Sequence, residues 1–453
     1  MKPKHYDVFI IGSGIAGQTA AKACAQSGMS VAIADKREYG GTCAIRGCDP
    51  KKVMLQFADL MQHAKQLKNL GVAETPKIDW KAVQQFKSQF TDAVPISTEK
   101  NLSELGIDLY HQSPKFISSS EIEVEGKTIS AEKFVIATGY VPRTLRFEGA
   151  EFLQNSDDIL NLAELPESAT FIGAGYVGME FGYMLASLGC KVTIIERGDR
   201  SLSAFDAYLV HMAEKSLAAI GVDFIFNAET ISVELLNKNH RVTYRQSGKE
   251  HTLKTRVVYN TSGRVPAIDL LDLDKANIKA DETGIHVNDF MQSESNPNVY
   301  ACGDVSNKSL PLTPLSGLQG FIAGHNLIHG NEKSFEHPLV PSIVFTHPNL
   351  ASVGCSEAEA TSRYKSIKIF KGDASSWYNA KKNHTDTYAY KILVNERTDQ
   401  IVGAHLLSDG ANESINSLAL AMQNEMTVAA FKKMIFTYPS YTNDLKSMLK
   451  NLD

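Results

Sequence analysis

Apolar residues in this chain gather first into short continuous runs. Val8-Phe9-Ile10-Ile11 is too short for a helix and predicts a strand buried on both faces. An Ala-rich helical stretch follows over 18–27, then a second apolar run, Val31-Ala32-Ile33-Ala34. Residues 51–70 and 80–105 predict two long helices, the first with Val53, Leu55, Phe57, Leu60 and Met61 among its apolar positions. Residues 115–129 alternate apolar with polar and contain Gly126, as an antiparallel hairpin would. Lys133-Phe134-Val135-Ile136-Ala137-Thr138-Gly139 predicts a strand that ends in a glycine turn and returns to the first sheet. A polar linker over 148–166 places a boundary in or just before it.

The pattern then restarts. Thr170-Phe171-Ile172, a helix over 179–188 and the strand Lys191-Val192-Thr193-Ile194-Ile195 repeat the order of the first unit. Val257 to Pro266 predicts a strand and turn that close the second unit and lead back to the first. Asn298-Val299-Tyr300-Ala301-Cys302-Gly303-Asp304 predicts another strand with an acid at its end. Beyond residue 337 the pattern changes, with strands at 343–346, 388–394 and 401–407 and helices at 412–424 and 428–434. That segment reads as a separate α+β domain used for dimerisation.

What lies between each strand and helix gives the repeat its chemistry. The first junction is Gly12-Ser13-Gly14-Ile15-Ala16-Gly17, with Asp35 closing the second strand. The second is Gly173-Ala174-Gly175-Tyr176-Val177-Gly178, with Glu196 in the corresponding place. The glycines permit a tight turn and close approach of a pyrophosphate, the helix start stabilises its charge, and the acid binds a ribose. Strand, helix, second strand and acid are all in place twice, so the chain is expected to bind two dinucleotides, FAD and a nicotinamide cofactor. Glu196 favours NADH by repelling a 2′-phosphate, while Arg197 and Arg200 keep NADPH open.

Directly after the first unit comes Gly40-Gly41-Thr42-Cys43-Ala44-Ile45-Arg46-Gly47-Cys48-Asp49-Pro50-Lys51-Lys52. Four residues separate the cysteines, and such a loop can bring two Cα atoms within about 4.4–6.8 Å, the span of a disulfide. Spacing alone favours two free cysteines on a loop. Position beside the dinucleotide unit favours a redox pair held against a flavin. Six cysteines in 453 residues do not make a disulfide scaffold, which points to a reducing cytoplasm and to a catalytic or metal-binding use of the close pair rather than a structural one. A net charge of −5 with no basic run gives no case for nucleic acid, no apolar run is long enough for a bilayer, and no signal peptide is read at the N-terminus. No metal-ligand set is read either.

Together these residues resemble the FAD-dependent pyridine nucleotide–disulfide oxidoreductases, the family of glutathione reductase, dihydrolipoamide dehydrogenase and mercuric reductase. The Gly-Gly-Thr-Cys to Pro-Lys-Lys block, the two βαβ units, Ala137-Thr138-Gly139, Cys302-Gly303-Asp304 and His347-Pro348 with Val353-Gly354 carry the resemblance over essentially the whole chain. It implies an α/β fold of two Rossmann-like dinucleotide-binding domains plus a C-terminal α+β dimerisation domain. The FAD domain would take 1–140 and 265–335, the NAD(P) domain 141–264 and the interface domain 336–453. It also implies a homodimer that passes electrons from NAD(P)H through FAD to Cys43–Cys48 and on to a small-molecule or small-protein disulfide. Cys48 would face the flavin and Cys43 the substrate, with Lys51 near the flavin and paired with Glu180. Gly12, Ser13, Gly14, Gly17, Asp35, Thr42, Lys51, Thr138, Gly139, Asp304 and Thr313 would hold FAD. Gly173, Ala174, Gly175, Tyr176, Val177, Gly178, Glu196, Arg197 and Gly263 would line the nicotinamide site, Tyr176 as its aromatic gate.

The chain departs from the family at its end. The family's C-terminal His-Pro motif and its Glu five residues later are here Tyr438-Pro439 and Asn443, so both members of the acid–base pair are replaced. Tyr438 takes the catalytic position of the His, and Asp444 is a candidate substitute partner for it. A phenol titrates near pH 10, against about 6.5 for imidazole, and makes a poor base at neutral pH. Ile45 and Asp49 also depart from the family's residues in the cysteine block. A quinone, metal-ion or oxygen reductase, in which the cysteines relay or sense, is the alternative. A flavoprotein that chiefly binds a partner is a third reading.

Overall fold

The structure is a computed structural model that describes residues 4–450. By packing, the chain forms two compact units. One comprises the chain to Val53, Gln84–Thr144 and Gly263–His337; the other comprises Met54–Val83, Leu145–Ser262 and the chain from Pro338.

The first unit is built on β1 (Lys4–Ile11), α1 (Ile15–Gln26) and β2 (Val31–Ala34). Its sheet runs Asp108–Tyr110, β2, β1, Lys127–Ile136, with Val299–Ala301 also paired to Lys127–Ile136, all parallel. The expected hairpin is present, as Lys127–Ile136 folds back on Glu121–Val124. Every residue of β2 is buried, as a parallel strand covered on both faces requires.

Two helical readings change. The cysteine block is helical rather than an open loop: α2 is Gly41–Arg46 and α3 is Cys48–Gln66, joined by Gly47. A Cβ at Gly47 would lie 2.9 Å from the Thr42 carbonyl oxygen, so only glycine fits this junction. The long helix expected over 80–105 is two, Trp80–Thr91 and Val94–Glu104. Pro95, in the first turn of the latter, has no N–H to continue the earlier ladder and would clash with the carbonyl four residues back.

The helix Thr313–His329 went unread in the sequence because Gly317, Gly320 and Gly324 weaken its pattern. Those glycines serve packing. A Cβ at Gly320 would lie 2.3 Å from the Ala16 carbonyl oxygen, and one at Gly324 3.1 Å from Ala23 Cβ. The helix thus lies directly on α1, its N-terminal Thr313 fixed relative to the glycine loop.

The second unit contains the four-stranded parallel sheet Val222–Ile225, Lys191–Ile195, Ser168–Ile172, Val257–Asn260, the repeated dinucleotide pattern. Residues 228–255 form a three-stranded antiparallel sheet. A five-stranded antiparallel sheet runs Ser342–Val344, Asn349–Gly354, Gln400–Ser408, Ala389–Asn395, Ile367–Asp373. The three strands expected there are present, together with two that the pattern did not reveal, Asn349–Gly354 between two of them and Ile367–Asp373 at one edge. No helix among the described residues is long and apolar enough to cross a membrane.

Gly320→Ala should lower stability by about 1–3 kcal/mol, because the backbone oxygen of Ala16 cannot yield to the new methyl. Gly317→Ala, whose methyl would meet Ile15 Cγ1 at an ordinary 3.6 Å, should change stability little or raise it. Equal urea midpoints for the two variants would refute this account of the helix contact.

Candidate active site

The thiols are placed by two helix junctions and one glycine contact. Gly41 has φ +78°, and a Cβ there would lie 2.5 Å from Gly14 Cα. α2 therefore begins in contact with the glycine loop at the start of α1, which sets Cys43 beside that loop. Cys48 is the first residue of α3, where unpaired backbone N–H groups and the helix dipole favour an anion.

Both cysteines are thiols in this structure, Cys48 exposed and Cys43 partly buried. Thr313 Oγ1 donates to Cys43 Sγ at 3.0 Å and lies 3.9 Å from Cys48 Sγ. A residue expected to hold FAD thus also touches both sulfurs. The two thiols differ sharply in acidity. Cys48 is lowered to about 6, chiefly by its hydrogen bond with the Cys43 thiol, which with Thr313, Lys51 and Lys52 outweighs burial. Cys43 is pushed up, first by that same hydrogen bond, then by burial and by the charges of Cys48 and Asp49. Asp49, a departure in the block, therefore disfavours a Cys43 thiolate. Arg46 is bound to Glu38 at 2.6 Å.

The glycine loop is close-packed and its acid is engaged. A Cβ at Gly17 would lie 1.9 Å from the Gly12 carbonyl oxygen, and one at Gly12 (φ +109°) 2.3 Å from that of Ala137. Asp35 Oδ2 accepts from Ser13 N–H at 2.8 Å and from Ser13 Oγ at 2.7 Å. The second unit repeats the device: Glu196 Oε2 accepts from Ala174 N–H and Oε1 from Gly198 N–H, both at 2.8 Å. Gly173 and Gly178 pack on Thr261, whose hydroxyl donates to the Gly173 carbonyl at 2.7 Å. Neither Ser13 as a brace for the acid nor Thr261 as a brace for the loop was read from the sequence. An acid engaged by its own loop gives no separate sequence signal.

The residues present suit a bound dinucleotide in the first unit. The Thr138 hydroxyl is buried without a hydrogen-bond partner, beside Gly12 and before Gly139, which has φ +67°. α1 starts at Gly14 with no side-chain cap and no acid in its first turn, leaving its N–H donors for a phosphate. Asp304 accepts from Ser316 Oγ at 3.0 Å; burial raises its carboxyl despite that bond and the charge of Arg264. Thr42 is exposed at the start of α2.

In the second unit Gly175 is likewise an uncapped helix start, followed by Tyr176, 39% exposed, and half-buried Val177. Arg197 is exposed and lines an open cavity with Asn227, Glu229, Arg245 and Ser247. Gly263 belongs by packing to the first unit, where its carbonyl accepts from Arg143 N–H at 3.0 Å. Lys51 is buried in α3 of the first unit. Glu180 is buried in the second, and its Oε1 accepts from Phe345 N–H at 3.0 Å.

The C-terminal departure is also defined. Tyr438 is 70% exposed, its ring 6.2 Å from that of Tyr378. Asp444, the candidate partner for Tyr438, is committed elsewhere, accepting from Asn379 Nδ2 at 2.9 Å and Tyr388 OH at 3.1 Å. Asn443 lies in the first turn of the helix Tyr441–Met448, its backbone N–H donating to Ser440 Oγ, the cap of that helix.

Residues 6–320 match the pyridine nucleotide-disulphide oxidoreductase family, and residues 340–449 match that family's dimerisation domain. The chain belongs to this family. Its members use FAD and NAD(P)H. The chain is 28% identical to a glutathione reductase of Burkholderia cepacia over 449 residues, 99% of each chain. It is 30% identical to a dihydrolipoyl dehydrogenase of Chlamydia muridarum over 96% of this chain and 94% of that one. It is 28% identical to a mercuric reductase of Lysinibacillus sphaericus over 98% of this chain and 82% of that one. The α/β fold with a dinucleotide-binding part and a C-terminal dimerisation domain accords with both matches.

The site geometry fixes a pH dependence. Because Cys48 is lowered to about 6, its thiolate should persist at neutral pH and be lost as pH falls through that value. Alkylation of the reduced protein should therefore inflect near pH 6 rather than near the ordinary thiol value of about 8.5. Thr313→Val and Cys43→Ala should each move the inflection upward. An inflection that stays in place in both variants would show that neither neighbour sets it.

Proposed function

We propose that this enzyme passes two electrons from NAD(P)H, with NADH favoured, to the Cys43–Cys48 pair and on to a disulfide substrate. One observation carries the reading: the two sulfurs share Thr313, and Cys48 is the more acidic. Bound FAD supplies the two-electron link between the nicotinamide and the thiols. The residue assignment follows the two nucleotide patterns. Gly12, Ser13, Gly14, Gly17, Asp35, Thr42, Thr138, Gly139, Asp304 and Thr313 would hold FAD, with Lys51 near its reactive ring. Gly173 to Gly178, Glu196, Arg197 and Gly263 would serve the nicotinamide cofactor.

In the oxidising half of the cycle Cys43 attacks one sulfur of the substrate. A Cys43–substrate bond forms and one substrate thiolate leaves. Cys48 thiolate then attacks Cys43 Sγ, closes the Cys43–Cys48 disulfide and releases the second thiolate. Cys43 must first lose its proton, and the Cys48 thiolate, already hydrogen-bonded to it, is the acceptor at hand; that proton then passes to the departing substrate thiolate, which restores the Cys48 thiolate for the second attack. The first of these transfers is uphill, and Tyr438 is suited to donating a proton to a leaving thiolate rather than to removing one from Cys43. The protein is proposed to work as a homodimer in the cytoplasm, where its thiols stay reduced.

The exposed Tyr438, with Asp444 bound to Asn379 and Tyr388, favours a second reading. An acceptor without a thiol leaving group, such as a quinone, a metal ion or oxygen, would not need the replaced His–Glu pair.

Anaerobic titration with NADH and, separately, NADPH separates the readings. Under the disulfide reading a long-wavelength thiolate-to-flavin band should appear after two electrons, and Cys48→Ser should lack it. Cys43→Ser and Cys48→Ser should each abolish disulfide turnover while FAD stays bound; turnover retained in either excludes the thiol relay. Tyr438→His should raise reduction of simple disulfides near pH 7 by up to roughly 10²–10⁴-fold, the usual worth of general acid–base catalysis. No gain would mean that the step it serves is not limiting.

A further inference from the structure

Three side chains with no part in the nucleotide or thiol machinery converge in the second unit. His63 lies in α3, His347 just before the strand Asn349–Gly354, and Asp409 just after Gln400–Ser408. One ligand atom from each lies within 4.8 Å of the others. The imidazoles meet edge to face at 86°, their centroids 4.9 Å apart.

Two unmatched atoms give the cluster its meaning. Asp409 Oδ2 is fully engaged, accepting from Asn383 Nδ2 at 3.0 Å, Thr385 Oγ1 at 2.9 Å and Tyr441 OH at 3.3 Å. Asp409 Oδ1 is buried and receives no hydrogen bond, although it faces His347 Nδ1 at 3.7 Å. That distance is too long for a hydrogen bond. It is close to the spacing of about 3.3 Å between two ligand atoms bonded tetrahedrally to one zinc ion. The widest separation in the cluster would need to close by about 1.5 Å on binding.

The second unmatched atom is Gln66 Oε1, buried without a partner, while Gln66 Nε2 lies 2.9 Å from His347 Nε2. Amide orientation is interchangeable by a half-turn. Turned over, Gln66 presents Oε1 to a His347 Nε2–H, which matches the orphan oxygen and leaves the Nδ1 lone pair facing Asp409 Oδ1. A histidine whose remote N–H is held by an acceptor is the usual arrangement of a metal-ligating imidazole. Asp59, one turn before His63 on α3 and bound to Tyr183 OH at 2.6 Å, supplies a second carboxyl group close by.

We propose that His63, His347 and Asp409 bind one divalent transition cation of the zinc type, with water in the remaining position. Two imidazoles and a carboxylate suit that class better than calcium or magnesium. No local pattern marks the set, because its members stand at positions 63, 347 and 409. The three residues belong to the second unit, whereas Cys43 and Cys48 belong to the first.

The test uses Cys43→Ser/Cys48→Ser protein, stripped with a chelator and titrated with Zn²⁺ against a chromophoric competitor. One Zn²⁺ per chain should bind. His63→Ala, on a half-buried helix face where the fold should survive, should remove that binding, as should His347→Gln. Thr385→Val, which removes one support of Asp409, should weaken it by roughly 10-fold or more. Co²⁺ in the same site should show visible ligand-field bands without sulfur charge transfer. Failure to take up Zn²⁺, or uptake unchanged in a folded His63→Ala protein, would overturn the proposal.

Discussion

The first unit depends on backbones that meet without side chains between them. Gly41 lies on Gly14 so closely that a Cβ would reach 2.5 Å, and Gly320 lies on Ala16 just as tightly. The first contact brings α2 and Cys43 to the nucleotide loop. The second brings the Thr313 helix onto α1 and, with it, a hydroxyl onto both sulfurs. A methyl at either place meets backbone, which cannot move aside as a flexible side chain can. The placement of the paired thiols is therefore a consequence of close packing as much as of the cysteines themselves.

Within that frame, acidity is divided by position. Cys48 opens a helix and lies near Lys51 and Lys52, whereas Cys43 lies inside a short helix with Asp49 close by. Two chemically identical thiols thus differ in acidity, Cys48 held toward the thiolate and Cys43 toward the thiol. The helix start and the lysines act in the same direction, and the hydrogen bond between the thiols adds most to the difference.

The two nucleotide units solve one problem by the same means. In each, the acid at the end of the second strand grips a backbone N–H of the glycine loop, Ser13 in one case and Ala174 in the other. The separation from opening glycine to acid, Gly12 to Asp35 and Gly173 to Glu196, is the same in both. The acid thereby fixes the loop's shape before any ribose arrives, which reduces the ordering that binding must impose.

The repeated βαβ units, the places of both acids and the cysteine block are legible in short-range spacing, where strand and helix periods and glycine positions carry the information. The replacement of His and Glu near the C-terminus is legible only beside the family that the chain resembles. Tertiary packing, by contrast, makes the cysteine block two helices and engages Asp444 with Asn379 and Tyr388. It alone set Thr313 on sulfurs 265 and 270 positions away, and gathered His63, His347 and Asp409. Those contacts join residues far apart in the chain through the packing of whole elements, and no local pattern of side chains records which elements will meet.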